Sequence, residues 1–240
     1  MLENILFVIC IIALIKFIDW YKKHKYESSE YFQESGTSYS KVTTDKGTIG
    51  EYASYKKIKG IDPEYEKFLF NVYLPTGINK WTEVDIIYIN RYGIFVIENK
   101  NYSGWIFGDS NSKMWTVVYK GGKKKSLYNP IMQNKKHIQK VREILCEKDL
   151  NTGAVRSIVC FNDGAELKKV PESDYDVKII NSRDLVNTLR ANAYPRIDKE
   201  EIEQIYAALK IYANASDTIK QQHINNQHYR RHRKSNYKRY

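Results

Sequence analysis

The sequence predicts a mixed α/β fold in which a central mixed β-sheet is flanked by helices. Two observations lead to this prediction. Short apolar runs typical of strands are separated by longer stretches with helical spacing. The chain of 240 residues is long enough to bury one good core but short for two full-sized domains. A composition that is 42% hydrophobic, with 12 Gly and 5 Pro, is that of a globular protein.

The first element is an apolar segment at the N-terminus. Residues 5–15 form an unbroken apolar run, which continues for two residues past Lys16. A membrane span needs about 20 apolar residues. Lys16 can extend its charged end toward the interface, and Trp20 and Tyr21 suit that boundary, so the segment is long enough. We therefore expect residues 1–25 to be a transmembrane anchor with a basic flank.

This segment has two other interpretations. A cleaved signal peptide is disfavoured because no positive residue precedes the apolar run and no small-residue cleavage site follows it. A buried or interfacial helix is the third alternative. The basic residues within 22–25 follow the run directly, which favours a single-pass membrane protein with the bulk of the chain in the cytoplasm.

The remaining chain divides into four segments. Residues 26–46 are polar, rich in Ser and Thr and without periodicity, which predicts a linker. We expect the folded domain to cover 47–192 and a C-terminal helix to cover 193–214. Residues 215–240 are expected to form a basic, disordered tail.

Helices and strands alternate along the folded domain. The predicted order is a helix at 48–59, strands at 68–74, 84–89, 94–97 and 115–119, a helix at 130–146, strands at 155–161 and 177–180, and helices at 183–190 and 199–212.

The charge balance points to a polyanionic partner. Lys and Arg number 39 against 28 Asp and Glu, a formal net charge of +11. Six of the basic residues lie in the last twenty positions, among them Arg230, Arg231 and Arg233, with no acid beside them. Arginines interleaved with tyrosines suit sequence-independent binding of nucleic acid. They suit the anionic inner leaflet of a membrane equally well.

Cysteines and histidines exclude several classes of site. The three cysteines are odd in number and far apart, so neither a disulfide framework nor a CxxC metal site is expected. Apart from His24 in the basic flank and three histidines in the tail, His137 is the one histidine of the chain. A zinc site or a histidine-based catalytic triad would need more.

A predicted hairpin brings two carboxylates together. Strands at 83–89 and 94–98 are joined by 90–93, whose Asn and Gly suit turn positions. With a loop of two or four residues, opposed positions have numbers that sum to 183. Asp85 then faces Glu98, with their Cβ atoms about 5 Å apart. A three-residue loop with a bulge would shift this pairing by one position.

Opposed carboxylates at the ends of apolar runs need a positive partner. Like charges in this arrangement repel, and a buried unpaired charge is costly. Mg²⁺ takes oxygen ligands from one or two carboxylates and completes its shell with water and substrate phosphate. Lys100, on the same strand face as Glu98, can act on the attacking water or on the charged phosphate. The alternative is a surface patch without chemistry, in which Lys100 bridges Glu98 or Glu83.

The segment from Gly47 to about Leu145 resembles the nuclease-related domain, a branch of the PD-(D/E)XK nuclease superfamily. Its landmarks occur in order: Gly47, Gly50 and Glu51 on an early helix, 71–75 at a strand end, Asp85, the strand 93–100, then 101–106 and 129–134. The one departure is Asn99, where the family more often has Thr. The resemblance implies a restriction-endonuclease-like fold.

The resemblance also implies a role for each site residue. Asp85 and Glu98 would ligate Mg²⁺, with Mn²⁺ as a possible substitute, and the Asn99 carbonyl would add an oxygen. Lys100 would work on the nucleophile. Glu51 matches the helix carboxylate of the family and Gln133 its glutamine.

Non-catalytic interpretations of the helical residues remain open. Glu51 fits a carboxylate favoured by the helix dipole, and Gln133 fits a solvated helix face. For His137, one turn from Gln133, the solvated face is favoured.

A second group of lysines is a candidate for contact with nucleic acid. Lys123, Lys124 and Lys125 follow Gly121 and Gly122, a predicted turn. They can reach a phosphate backbone, although a solvated hairpin tip is the favoured interpretation.

Together these features predict a membrane-anchored, Mg²⁺-dependent nuclease that hydrolyses phosphodiester bonds of DNA or RNA. The alternative from another class is a catalytically silent nucleic-acid-binding or membrane-scaffold protein that keeps the fold. A third is a secreted nuclease, which the free cysteines argue against.

Overall fold

The fold is described from a computed structural model. It describes residues 1–173, 176–191, 194–213 and 215–236; the side chains of 2, 3 and 227–236 are outside the description. The strands are β1 (Lys67–Gly77), β2 (Lys80–Asn90), β3 (Gly93–Lys100), β4 (Gly104–Phe107), β5 (Met114–Val118), β6 (Lys124–Tyr128), β7 (Val155–Phe161), β8 (Ala165–Lys169) and β9 (Val177–Asn181). The helices are α1 (Leu2–Glu27), α2 (Glu30–Ser35), α3 (Tyr39–Thr44), α4 (Lys46–Ile58), α5 (Pro130–Cys146), α6 (Leu185–Arg190), α7 (Lys199–Lys210) and α8 (Asp217–Asn236).

The larger of the two β-sheets has the strand order β1-β2-β3-β7-β9. The first three strands form an antiparallel meander, and β7 and β9 add to it in parallel, each after a connection long enough to cross over. A mixed sheet of this kind, with helices on both faces, is the predicted α/β fold.

The two faces of this sheet bury separate apolar clusters. On one face Ile87, Ile89 and Val96 pack with α5 and α7; on the other Ile86, Tyr88 and Phe95 pack with α2, α4 and α6. The alternation follows from the two-residue repeat of a strand. The sheet is therefore an apolar layer covered on both sides, and a charge at its edge has little access to water.

A smaller sheet, in the order β6-β5-β4-β8, was not predicted. Its buried face carries Ile106, Val117 and Trp115, and the indole of Trp115 stacks on Phe161 of β7 at a ring separation of 6.3 Å. A Cβ atom at position 108 would lie 2.2 Å from that indole, so only glycine fits there. The smaller sheet is thus packed against the end of the larger one.

The prediction of a linker at 26–46 is wrong. These residues form the last turn of α1, then α2 and α3, and Tyr26, Tyr31 and Val42 are buried. Tyr26 donates a 2.5 Å hydrogen bond to the Thr37 carbonyl. Tyrosine buries a large ring while its hydroxyl finds a polar partner, so a stretch that is polar by composition folds against the domain.

The prediction of a disordered tail at 215–240 is also wrong where the structure describes it. α8 occupies most of this segment, and its first half lies on β2. Gln222 accepts a hydrogen bond from the Trp81 indole (3.3 Å), and His223 Nδ1 lies 3.0 Å from the Trp81 carbonyl. The side chains of Arg230, Arg231 and Arg233 lie outside the described residues.

The N-terminal helix α1 exposes its apolar side chains. Within the described residues, one helical segment, Asn4–Glu27, is long and apolar enough to cross a membrane, with a mean hydropathy of 2.0. The far end of the same helix is folded into the domain through Tyr26. A candidate membrane helix and the folded domain are therefore joined without a flexible segment between them.

Candidate active site

The β2–β3 hairpin has the predicted register. Ile86 pairs with Ile97, Ile87 with Val96 and Asn90 with Gly93, so opposed positions sum to 183. The regular pairing, followed away from the turn, ends at Ile86, and Asp85 is the next residue beyond it. There the Asp85 carboxylate accepts a 2.7 Å hydrogen bond from the Asn99 backbone N–H. Asp85 and Glu98 therefore lie side by side where the two strands part.

Glu98 is buried and incompletely paired. It is 2% exposed. Lys100 Nζ donates to Glu98 Oε1 at 2.5 Å. Glu98 Oε2 has no hydrogen-bond partner among the described residues. The alternative in which Lys100 bridges Glu98 is thus realised, but in the interior rather than in a solvated surface patch, since the Lys100 side chain is only 12% exposed.

Gln133 is placed against Lys100 by the start of α5. Asn129 caps this helix by accepting from the backbone N–H groups of Ile131 and Met132, and Pro130 follows as the first helical residue. Lys100 Nζ donates a 3.1 Å hydrogen bond to Gln133 Oε1. The interpretation of Gln133 as part of a solvated helix face is therefore not supported.

A second residue of α5, Asn134, locks the helix to the sheet. It is fully buried and its side-chain amide donates to the Val96 carbonyl (2.9 Å) and to Ser157 Oγ (2.8 Å). Sequence reasoning missed it, because an Asn on a helix is more often exposed. Its position explains how Gln133, the preceding residue, is held at the end of β3.

The prediction that His137 lies on a solvated face is wrong. The side chain is 1% exposed, and Nδ1 lies 3.2 Å from Asn134 Oδ1 and 3.4 Å from Glu98 Oε2. Burial lowers the His137 pKa to about 4, although the Glu98 charge acts in the opposite direction. At neutral pH His137 is therefore an uncharged neighbour of Glu98, and it does not neutralise that carboxylate.

Glu51 is brought to the site by close packing of α4. Asp45 caps the helix by accepting from the Thr48 N–H. A Cβ atom at Gly50 would lie 3.2 Å from the Asn101 Cβ, so glycine permits the approach. Tyr31, which sequence reasoning missed, directs its hydroxyl to Glu51 Oε2 at 3.4 Å.

The electrostatic surroundings of Glu51 oppose its charge. Burial, followed by repulsion from Glu83, raises the Glu51 pKa to about 8. Helix dipoles act mainly within the first turn, and Glu51 lies six residues after the Asp45 cap. Stabilisation by the dipole is therefore not the explanation for this carboxylate.

The same surroundings disfavour the charged form of Asp85 and favour the charged form of Lys100. Burial and the charges of Glu98 and Glu51 raise the Asp85 pKa well above its usual value, against the Lys100 charge and the Asn99 N–H. Burial opposes the charge of Lys100, but Glu98 and Asp85 outweigh it and raise the Lys100 pKa. The site thus holds two carboxylates, Asp85 and Glu98, that oppose each other's charge and both favour the charged form of Lys100.

The donor set fits a hard divalent cation. Glu98 Oε2 is buried without a hydrogen bond, and a second carboxylate, Asp85, lies beside it. No group of three or more His, Cys, Asp or Glu side chains is gathered as a metal site within the described residues. Mg²⁺ needs only one or two carboxylates, since water and substrate phosphate complete its shell.

Asn99 contacts both the helix α4 and the carboxylate of Asp85. Its side-chain oxygen accepts a 2.6 Å hydrogen bond from Ser54, its backbone N–H binds Asp85, and its buried Nδ2 has no partner among the described residues. The side chain ties β3 to α4. The role of the Asn99 carbonyl as a metal ligand stays a prediction.

The structure separates the three candidate lysines of the second sheet. Gly121 and Gly122 form the predicted turn with positive φ. Lys124 pairs with Val118 and Lys125 with Val117, so their side chains are on opposite faces of the sheet. All three lysines are exposed, but Lys125 Nζ lies 5.3 Å from the centre of the ring of Tyr102, which follows Lys100 by two residues. Only Lys125 of the three is directed toward the site.

Comparisons with known proteins agree with this geometry. Residues 46–162 match the family model described as "Nuclease-related domain". The chain is 31% identical over 181 residues to an uncharacterized protein of Bacillus anthracis, a match that covers 75% of this chain and 82% of the relative. No solved structure matched.

Proposed function

We propose that this chain, which belongs to the nuclease-related domain family, is a metal-dependent nuclease held at a membrane. The observation that carries the proposal is the largely buried set Asp85, Glu98 and Lys100, with two carboxylates that repel each other and one carboxylate oxygen that accepts no hydrogen bond from the described residues. Such a set costs stability unless a cation joins it. A role in metal binding and catalysis accounts for a set of side chains that lowers stability on its own.

Asp85 and Glu98 are the side chains that would hold Mg²⁺ or Mn²⁺. When bound, the ion would supply a Lewis acid for the phosphate and lower the pKa of a coordinated water. The reaction is hydrolysis of a phosphodiester bond in DNA or RNA.

The remaining roles belong to the residues of the chain. Lys100 Nζ, charged and directed into the site, would orient the attacking water and stabilise negative charge on the phosphate. Gln133 accepts from Lys100 and holds its ammonium group in position. Glu51, whose raised pKa allows it to carry a proton near neutral pH, would exchange a proton with water in the site.

The membrane part of the proposal rests on α1. Its apolar side chains are exposed, and the basic residues at 22–25 follow them. By the preference of Lys and Arg for the cytoplasmic side, the folded domain would lie in the cytoplasm. The basic end of α8 would then be available to nucleic acid or to anionic lipid.

The nuclease proposal is tested by cleavage. The full chain in detergent is incubated with labelled DNA and RNA in Mg²⁺, Mn²⁺ or EDTA, beside Asp85→Ala and Lys100→Ala. We expect cleavage by the wild type with metal and none with EDTA or in either variant. If the wild type binds nucleic acid and cuts nothing, the alternative of a silent binding protein is correct instead.

The native cysteines test the topology. Cys146 is exposed on the folded domain, Cys10 lies in α1, and burial raises the Cys160 pKa to about 12 and makes it unreactive. A membrane-impermeant maleimide should label Cys146 in inverted vesicles and not in intact cells. Labelling of Cys146 in intact cells would contradict the proposed orientation.

A further inference from the structure

A polar cavity lies beside the carboxylates, outside the set of residues already described. It has a volume of about 270 Å³, is open to solvent on one side, and is lined by the turn at 35–38, by Lys41, by β1 and β2, and by α8. The side chains on its wall that bear charge or hydrogen-bonding groups are Lys41, Asn71, Tyr73, Glu83 and Lys220.

The cavity borders the candidate metal ligand Asp85. Phe70 pairs with Ile86 and Val72 with Val84, so Asn71 is the β1 residue opposite Asp85. Asn71 has φ 49°, an uncommon value for any residue but glycine, and the regular pairing skips its position. Since opposed strand positions are about 5 Å apart, the cavity begins next to this candidate ligand.

The walls carry a net positive charge. Lys41 and Lys220 come from different ends of the chain and line the same space. The Lys41 charge is felt at Glu51, whose pKa it lowers against the stronger effect of burial. Lys41 therefore lines the cavity and lies near enough to Glu51 for its charge to act there.

The one carboxylate on the wall is engaged by neighbours. Glu83 accepts a 2.7 Å hydrogen bond from the Tyr73 hydroxyl, and its other oxygen lies 3.7 Å from His223 Nε2. The two lysines can bind an anionic group, and the carboxylate can accept a hydrogen bond from a hydroxyl or amino group of the same ligand.

We propose that this cavity binds one nucleotide of the substrate strand, next to the phosphodiester that is cut. Lys41 and Lys220 hold its phosphate, and Glu83 accepts a hydrogen bond from its sugar or base. The inference rests on the proposed nuclease function. The volume is close to the lower limit of small-molecule sites, about 300 Å³, so it suits a single nucleotide rather than a duplex.

Chain segments outside the nuclease-related match help to build the cavity. The turn at 35–38, Lys41 and Lys220 lie outside 46–162, whereas Asn71, Tyr73 and Glu83 lie within it. The substrate class that follows is a single strand, or a strand end, that can place one unpaired nucleotide beside the metal ligands.

The cavity is tested first by binding without turnover. The full chain in detergent and EDTA is titrated into a fluorescent single-stranded tetranucleotide, and Lys41→Glu and Lys220→Glu are compared with Lys199→Glu. Lys199 is 63% exposed and lies outside the cavity, so it matches the charge change. We expect each cavity variant to raise the Kd about tenfold and the control less than about twofold.

Two results in this assay overturn the assignment. One is an equal increase in Kd for all three charge reversals, which would show that the overall charge of the protein, and not the cavity, determines binding. The other is that inorganic phosphate displaces the tetranucleotide as effectively as a mononucleotide does, which would show that the site recognises only an anion. Lys41→Gln and Lys220→Gln, measured beside the reversals with thermal unfolding of each variant, distinguish lost contact from a misfolded protein.

Steady-state cleavage separates this inference from the proposed function. If the wild type cuts, Lys220→Gln should raise KM and leave kcat within about threefold, because the contact is made before and during the reaction. If the wild type cuts and Lys220→Gln behaves as Lys199→Gln, the cavity assignment is wrong and the nuclease proposal stands. If nothing is cut but binding still depends on both lysines, the cavity assignment stands and the nuclease proposal is wrong.

Discussion

The two sheets place charged side chains in opposite environments. The larger sheet ends in a largely buried set of Asp85, Glu98 and Lys100, where one carboxylate oxygen accepts no hydrogen bond from the described residues. The smaller sheet keeps its lysines at a turn in water, with an apolar face inside. Solvated lysines need no explanation, because a protein surface is normally charged. Buried like charges do need one, and the difference between the sheets indicates where chemistry takes place.

The largest expected effect concerns the buried lysine. Lys100→Met removes the positive charge beside Asp85 and Glu98 and should lower kcat by about 10²–10⁴-fold. Lys124→Met, the matched change on the smaller sheet, should leave kcat unchanged because its side chain is exposed. Single-turnover cleavage of a labelled oligonucleotide measures both. Equal rates for the two variants would remove the distinction between the sheets.

The next effect concerns the packing between the sheets. Trp115 is 1% exposed and stacks on Phe161, whereas Trp105 on the outer face is 48% exposed. Trp115→Ala should lower the free energy of unfolding by about 3–5 kcal/mol. Trp105→Ala should change it by less than about 0.5 kcal/mol. Denaturant titration of both variants gives the comparison, and a stable Trp115→Ala would mean that the smaller sheet is not held by this contact.

The smallest effect concerns the two faces of β6. Lys125→Ala removes a cation next to Tyr102 and the site, and Lys124→Ala removes one from the opposite face. We expect Lys125→Ala to weaken nucleic-acid binding about threefold and to reduce the salt dependence by about one counterion. Lys124→Ala should do neither. Salt titrations by fluorescence anisotropy test this, and identical slopes would leave both lysines as surface charge.

Strongly patterned parts of the chain were predictable from sequence. The apolar runs of β2 and β3, with Asn90 and Gly93 between them, determine a register that the structure repeats. The short strands were missed because they offer too little pattern: in β6 Leu127 alone is fully buried, and β4 has four residues. Tyr31 of α2 was also missed, since its ring is buried by tertiary packing that local composition does not encode.

The site was predictable only along its own strands. Asp85, Glu98 and Lys100 follow from alternation and register, and the place of Gln133 beside Lys100 follows the family resemblance. His137 could not be placed from its helix face, because a contact with Glu98 across the core decides its burial. Lys41 and Lys220 are 179 positions apart, and only the folded chain brings them to one cavity.

The most direct measurement compares two partly or fully buried aspartates in stability and cleavage on the same samples. Asp62 is paired with Arg91 at 2.9 Å, whereas Asp85 stands among like charges. Stability is measured without metal and cleavage in Mg²⁺. Asp62→Asn should destabilise the fold by about 1–3 kcal/mol and keep cleavage. Asp85→Asn keeps the contact with the Asn99 N–H, should stabilise the fold by about 1 kcal/mol (roughly 2–4 °C in Tm), and should abolish cleavage. An Asp85→Asn protein that is less stable than the wild type, or that still cuts in Mg²⁺, would contradict the account.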